Sequence, residues 1–335
     1  MGSEVRQAQL IVLANGTVLP GVLSAEVRCN AYLSANRFAL CVAYSVAGAN
    51  FWSELPLQIE VQIGVNGAWQ SLIVGNVDRL DVDPVGQTAT LHGRDLTALL
   101  ISAQTAETFE NQTASQIAVA LAERRGLTPM VFPTSDMVGR YYQTGRTRTA
   151  FSQHGSMTSE WDVMIWVAER EGFDVWVDGL ELYFQPSTTG APTALIVPTE
   201  CTSMRLHRAL DLAGGSTVVV QSWDSRQGTA VTGFASSLVA SSGGPTFTAV
   251  RPNLSSTDAT LFAQRTLTQL STHAAEVECE MPGELGLLAR DIVCVSQTGT
   301  DFDGNYQIME IDRRICFERG FTQTVVARSL PWITS

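Results

Sequence analysis

The sequence predicts a mainly β protein with an α+β insertion, and three observations carry this prediction. Residues 1–98 alternate apolar and polar side chains in short runs separated by turns, without a helical pattern. Residues 99–197 contain two capped amphipathic helices, each followed by a short strand. Residues 198–335 return to strand patterns and hold one further helix. We therefore predict three domains with these boundaries, in the order β, α+β, β.

The first block has the pattern of antiparallel strands. Residues 57–63 alternate strictly, as expected of a strand with one buried face. Asn66 and Gly67 follow, a pair typical of tight hairpin turns, and a second strand is expected over 69–83. The apolar phase changes along this strand, which predicts a β-bulge at Gly75. Many short strands with frequent turns are typical of a small barrel or sandwich.

The second block repeats one helix–strand pattern. Capping boxes begin at Thr113 and Ser159, and the helices are expected to end before Gly126 and Gly172. The interval between the two caps equals the interval between the two glycines. A short strand is expected after each helix, and another strand follows a turn at Gly179. These patterns predict a small α+β domain built on a local repeat.

The third block mixes strands with one helix. A Ser/Gly-rich stretch, 235–252, is expected to be a mobile loop. Ser255 caps a helix that runs to about His273, with one packed face formed by Leu261, Phe262, Arg265 and Leu270. Strands are expected over 204–211, 216–223, 229–235, 275–281, 291–296, 306–312 and 321–328.

The charge balance excludes several classes of function. All 21 basic residues are arginine, and 33 acidic residues give a net charge of -12 with a pI near 4.8. Without lysine, neither a Schiff-base lysine nor a phosphate-loop lysine is possible. The acidic balance argues against a general nucleic-acid binder, which concentrates positive charge to neutralise phosphates.

No motif predicts a catalytic, metal or cofactor site. HExxH, GxSxG, GxGxxG and phosphate-loop patterns are absent, and the four histidines are scattered. The acidic residues Asp78, Asp81 and Asp83 are interpreted as a solvated strand face rather than a calcium or catalytic site. The segment 301–305 is interpreted as an Asp-Gly turn rather than a calcium loop. Neither a secretory signal nor a membrane span is expected.

The six cysteines form no CxxC pair, so zinc is not expected. A hairpin centred near Ala35 is expected to place Cys29 and Cys41 opposite each other. Reduced thiols are the first expectation, and a disulfide between these two is the alternative.

One basic stretch interrupts the acidic sequence and supplies the candidate site. Arginine interleaved with tyrosine can stack on bases and pair with phosphates, but the same composition is enriched at protein interfaces. In an acidic chain we favour the protein interface. The predicted inter-subunit contact consists of Arg140, Tyr141, Tyr142, Arg146 and Arg148.

Five short motifs, in order, resemble one protein family. They are GRDLTALL at 93–100, SEWD at 159–162, AEREGF at 168–173, LYF at 182–184 and SWD at 222–224. Together they resemble the phage late control protein family, the baseplate hub proteins of contractile tails, over residues 5–330. The loop 236–254 and the absence of lysine lie outside the resemblance.

The resemblance implies a structural function. Members of this family are similar to a ring-shaped trimer in which each chain supplies two tail-tube-like β-barrels separated by an α+β domain. Three chains then make a pseudo-sixfold ring that adapts a hexameric tail tube to a trimeric central spike. The related type VI secretion spike proteins fuse the hub to the spike. This chain ends soon after its last strand, so a separate spike partner is expected.

The implied partners are therefore a homotrimer of this chain, a tail tube or tube-initiator protein, a central spike protein and the surrounding baseplate wedge proteins. DNA is expected to pass through the lumen without specific binding. The resemblance implies no enzyme activity, no catalytic residue and no cofactor, and a location in the virion tail baseplate after assembly in the host bacterial cytoplasm. A tail-associated cell-wall hydrolase and a carbohydrate-binding adhesin are the alternatives.

Overall fold

A computed structural model describes residues 7–44, 55–138, 140–143, 146–150, 159–188, 190–213, 215–224, 229–237, 244–251 and 254–330. The chain divides into two compact units. The first comprises Met1–Thr189, Gly283–Leu288 and Glu310–Gln323, and the second comprises Gly190–Pro282, Ala289–Met309 and Thr324–Ser335. The fold is mainly β, as predicted. The finer division into three domains at 98 and 197 stays a prediction.

The helices and strands follow the predicted order along the chain. The strands up to residue 189 are β1 (Ala8–Ala14), β2 (Thr17–Val18), β3 (Val22–Asn30), β4 (Arg37–Ala43), β5 (Gln58–Val65), β6 (Ala68–Asp83), β7 (Thr88–Asp95), β8 (Thr108–Glu110), β9 (Thr128–Val131), β10 (Arg140–Gln143), β11 (Arg146–Ala150), β12 (Phe173–Asp178) and β13 (Glu181–Pro186). The helices of this part are α1 (Thr97–Ser102), α2 (Ala114–Arg124) and α3 (Glu160–Glu171).

After residue 189 the strands are β14 (Ala194–Ile196), β15 (Ser203–Arg208), β16 (Thr217–Asp224), β17 (Thr229–Ser236), β18 (Thr246–Val250), β19 (Ala275–Pro282), β20 (Ile292–Val295), β21 (Gly304–Cys316) and β22 (Gly320–Ser329). The helices are α4 (Leu210–Ala213) and α5 (Ser256–Thr272), with a 3-10 turn at Pro198–Glu200.

The first unit contains a large antiparallel sheet in the order β2–β1–β5–β6–β7–β4–β3–β21. Alternate side chains point into its core, because successive residues of a strand face opposite sides. In β5, for example, Ile59, Val61 and Ile63 are buried while the polar residues between them are partly exposed. The predicted alternation over 57–63 is confirmed.

A second core in the first unit lies between helices and a small sheet. Helices α2 and α3 begin at the predicted capping boxes, in which Thr113 accepts from the amide of Gln116 and Ser159 accepts from that of Asp162. The sheet has the order β12–β13–β9, with β9 parallel to β13. Its cluster of buried residues includes Ile117, Leu121, Met164, Val167, Leu182 and Phe184.

The second unit contains an insertion between two paired strands. Strands β15 and β19 pair antiparallel, and the amide of Ala209 donates to the carbonyl of Ala274 (3.0 Å) where the insertion begins and ends. The inserted segment forms a sheet in the order β17–β16–β18, packed on α5. The other strands of this unit include β22 beside β19 and β14 beside β20.

The end of β7 joins the large sheet to the α+β core, and a buried carboxylate organises this junction. Asp95 is 4% exposed, and its two oxygens accept from the amides of Asn36 (3.0 Å) and Thr97 (3.1 Å). Asn36 in turn accepts from the amide of Asn30 (2.9 Å), which fixes the β3–β4 turn. Trp161 of α3 donates to the carbonyl of Leu33 in the same turn (3.0 Å).

The bulge predicted in strand β6 needs correction. The register shifts at Leu72 and Asp78, so the bulge predicted at Gly75 was wrong. Gly75 instead allows a close backbone approach, since a Cβ there would meet the carbonyl of Arg94. The sequence predicted one point at which the apolar side chains of β6 change to the other face. The structure has two such points, one at Leu72 and one at Asp78.

The predicted opposition of Cys29 and Cys41 was also wrong. Cys41 faces Ser24 across the β3–β4 pair, and Cys29 follows the last pair, Arg28 with Arg37. The centre of this turn lies nearer to residue 32 than to the predicted Ala35, which moves the two thiols out of register. None of the six cysteines, all of which lie in described segments, forms a disulfide.

The third block differs from the prediction in three places. The strand expected over 204–211 ends at Arg208, and α4 follows it. The stretch predicted as a mobile loop, 235–252, contains strand β18. In α5 the buried side chains are Ala259 and Ala263, while Leu261 is 44% exposed and does not belong to the packed face.

We predict that replacing Asp95 with alanine destabilises the first unit by about 2–3 kcal/mol, because the amides of Asn36 and Thr97 then lose their buried partner. Urea unfolding monitored by tryptophan fluorescence measures this change. The exposed pair of Asp81 with Arg79 supplies the control, and Asp81→Ala is expected to cost less than about 0.5 kcal/mol. Equal costs for the two variants would contradict the assigned role of Asp95.

Candidate interaction surfaces

The structure places the predicted contact residues on a two-stranded ribbon. Strands β10 and β11 pair antiparallel, with Arg140 opposite Arg148 and Gln143 opposite Arg146. Strand β11 also pairs with β8, so the ribbon is attached to the first unit through residues 108–110. Tyr141 and Tyr142 lie on β10. The backbone thus brings all five predicted residues together, and their contact with another subunit stays a prediction.

A buried glutamate beside two arginines stabilises the start of α3. Both oxygens of Glu160 accept from Arg125, at 2.6 Å and 2.7 Å, and one also accepts from Arg124 at 3.0 Å. Arg124 bridges onward to Glu107 (2.8 Å). Burial opposes ionisation of Glu160, but the hydrogen bonds from Arg125 and Arg124 outweigh it and lower the pKa of this carboxyl. No sequence motif predicted this cluster, because Glu160 and the two arginines lie about 35 residues apart along the chain.

The acidic residues of β6 are occupied by local partners. Asp78 lies at a bulge and accepts from Arg94 through both oxygens, at 2.7 Å and 3.0 Å. Asp81 pairs with Arg79 and lies 3.4 Å from His92. Asp83 accepts from two amides of the β6–β7 turn. These geometries agree with the predicted solvated strand face.

The segment 301–305 is a polar turn in which neighbouring groups bind the carboxylates. Asp303 accepts from the amides of Gln297 and Thr298, at 3.2 Å and 3.1 Å. Asp301 pairs with Arg208 (2.6 Å), whose guanidinium also lies over the ring of Phe302. Among the described residues, no group of three His, Cys, Asp or Glu side chains is arranged to hold a metal ion.

One surface feature was missed by the sequence patterns. The sheet of β16, β17 and β18 packs one face on α5, through Val218, Val220 and Ala235. On its other face Trp223 and Phe234 are 57% and 58% exposed, although both are large and apolar. Because residues 235–252 were predicted to form a loop, neither β18 nor a three-stranded sheet was expected here.

In the segments that the structure describes, no helix combines the length and the apolar character needed to cross a membrane.

Solved structures of tail proteins share this fold. A tail protein from Neisseria meningitidis superposes with a TM-score of 0.75 at 14% identity, over 96% of each chain. The 43 kDa tail protein of prophage MuSo2 from Shewanella oneidensis gives 0.73 at 14% identity, over 96% of this chain and 98% of that one. The chain has the fold of phage tail proteins. At these identities the likeness shows the fold alone.

A secretion protein extends the likeness. A component of the type VI secretion system of E. coli, described as structurally similar to the T4 bacteriophage tail proteins gp27 and gp5, gives a TM-score of 0.58 at 14% identity, over 96% of this chain and 77% of that one. No family model and no curated protein matches the sequence. The resemblance to phage tail proteins that the five motifs between residues 93 and 224 predicted is thus confirmed at the level of the fold.

We predict that Glu160→Gln destabilises the first unit by about 2 kcal/mol at pH 7, because it removes the charge that Arg125 and Arg124 bind. The lowered pKa of Glu160 means that its stabilisation is present above the unfolded-state pKa and is lost as the pH falls through the folded-state pKa. The difference between variant and wild type should therefore shrink on acidification, as measured by urea unfolding at neutral and acidic pH. Exposed Glu123→Gln, on α2, should show no such trend.

Proposed function

We propose that this chain is the structural baseplate hub of a phage or phage-like tail. The observation that carries the proposal is the full-length match to tail proteins, which covers nearly the whole of both chains. Because fold alone does not fix function, the proposal rests also on the motifs at 93–100 and 159–184.

In this proposal three copies form a ring with pseudo-sixfold symmetry, each contributing two tail-tube-like barrels separated by the α+β domain. The ring adapts the hexameric tail tube, or a tube-initiator protein, to the trimeric central spike, and wedge proteins surround it. A closed trimer requires contacts between two different surfaces of neighbouring copies. The virion tail is the proposed location, with assembly in the host cytoplasm.

The acidic charge supports a role for the ring lumen in DNA passage. With a net charge of -12, a lumen lined by carboxylates would repel phosphates and limit sticking as DNA moves through. A map of an assembled particle in which the pore-lining side chains are neutral or basic would exclude this role.

No enzyme activity is proposed, and assays separate the hub from its alternatives. Purified protein is expected not to clear peptidoglycan, whereas a cell-wall hydrolase would. It is also expected not to bind host cells as an isolated chain, whereas an adhesin would.

We predict that the purified protein forms a trimer. Light scattering after size-exclusion chromatography should give three times the chain mass of 36.2 kDa, and particle images should show a closed threefold ring. A monomer or an even-numbered assembly at micromolar concentration, with no ring in particle images, would contradict the hub assignment.

We predict further that the β10–β11 ribbon contacts a neighbouring chain in the assembled baseplate. Replacing Arg140, Arg146 and Arg148 with serine should reduce recovery of assembled particles by at least about tenfold, since guanidinium contacts to carboxylates are among the strongest interface pairs. Arg319, in the turn before β22, is the matched control, and Arg319→Ser should assemble normally. A ribbon exposed to solvent in the assembled baseplate would overturn the prediction.

A further inference from the structure

Among the described positions of β16, β17 and β18, those on the outer face of the sheet carry no charged side chain. The residues of this face are the odd-numbered positions of β16 and the even-numbered positions of β17 and β18, since Val219 faces both Phe234 and Thr248. The intervening positions 218, 220 and 222 of β16 and 231, 233 and 235 of β17 are buried or partly buried. The face therefore consists of threonine, alanine, serine and glutamine together with Val219, Trp223, Phe234 and Val250, and the last three are 57%, 58% and 73% exposed.

This composition is that of an interface core rather than of a solvated surface. The solvent-exposed face of a strand usually carries charged or strongly polar side chains. Contiguous exposed apolar groups instead mark binding surfaces. Interface cores are depleted of charge and enriched in aromatic residues. The other side of the sheet is already covered by α5, through Ala259 and Ala263, so the outer face is the side available for a partner.

The charge of the chain indicates which partner fits. Two copies with a net charge of -12 each repel one another, and acidic residues brought together would add a desolvation cost. A face without charges lets like-charged copies meet without burying like charges. For a basic or a nucleic-acid partner the opposite composition would be expected, with carboxylates or arginines at the contact.

The dimensions of the face indicate how it is used. Two strands of eight residues and one of five, spaced about 4.8 Å apart, cover roughly 330 Å². A stable interface buries about 800 Å² on each partner. The face is thus too small to hold an isolated dimer, and it fits one part of a larger contact between subunits of a closed assembly.

We propose that this uncharged face, centred on Phe234 and Trp223, is an interface with a second copy of this chain. The proposal rests on the proposed homotrimer and adds the surface by which neighbouring copies meet. Phe234 and Trp223 supply the buried aromatic contacts, and the threonine hydroxyl groups around them form the polar margin.

Charge insertion with a matched control tests the interface. Phe234→Glu places a carboxylate in the centre of the face, while Leu261→Glu places one on α5, where Leu261 is 44% exposed on the helix that covers the opposite side. Light scattering over a dilution series should show at least about a tenfold rise in the trimer dissociation constant for Phe234→Glu, because the carboxylate would be desolvated in the contact. Leu261→Glu should stay within about twofold of wild type. Circular dichroism and the Tm verify that both variants fold.

The outcomes separate this inference from the proposed function. A wild-type protein that stays monomeric would overturn the trimer itself. A wild-type trimer that Phe234→Glu leaves intact would overturn the interface while the hub assignment stands.

A photo-crosslinking amino acid at Thr232, which faces Gln221 beside the aromatic side chains, gives a second readout. Illumination of the trimer should yield covalent dimers of this chain, with the captured peptide identified by mass spectrometry. Absence of covalent dimers would contradict the proposal. Binding of a neutral oligosaccharide that Phe234→Glu abolishes, with an unchanged trimer mass, would assign the face to a sugar instead.

Discussion

The first unit depends on one buried carboxylate at the end of β7. Asp95 binds the amide of Asn36 in the β3–β4 turn and the amide of Thr97 at the start of α1, so a single side chain fixes the end of the sheet and the beginning of the helical region. The neighbouring residues have related roles, because Gly93 leaves space for the ring of Phe38 and Arg94 binds Asp78. Packing and hydrogen bonding therefore account for Gly93, Arg94 and Asp95 in the motif at 93–100.

The exclusive use of arginine has a structural counterpart in this unit. Arg94 and Arg125 each bind a carboxylate through two nitrogen atoms, a planar geometry that a lysine ammonium group does not reproduce. Arg28 of β3 and Arg314 of β21 each bind the same oxygen of Asp312 through one nitrogen atom. Substitution by lysine at Arg94 or Arg125 would keep the charge and lose one of the paired hydrogen bonds.

The sequence predicted the elements whose signals are local. The capping boxes at Thr113 and Ser159 and the alternation over 57–63 depend on neighbouring residues, and all three predictions are confirmed. The bulge positions in β6 and the β3–β4 register depend on how each strand pairs with its neighbour, and the apolar pattern of a single strand does not determine that pairing. Strand β18 was missed because glycine and serine dominate the stretch before it, although its own five residues alternate.

The two candidate surfaces differ in the kind of contact that each can make. The β10–β11 ribbon carries three of the arginines in an acidic chain, so it suits a carboxylate-bearing surface, including one on a neighbouring copy. The uncharged face has no electrostatic preference and gains stability only from burial of its aromatic and aliphatic groups. In the proposed ring of three acidic subunits the two contacts would be complementary: charge pairs would direct assembly, while apolar burial would hold the subunits together against a repulsion that grows with each added copy.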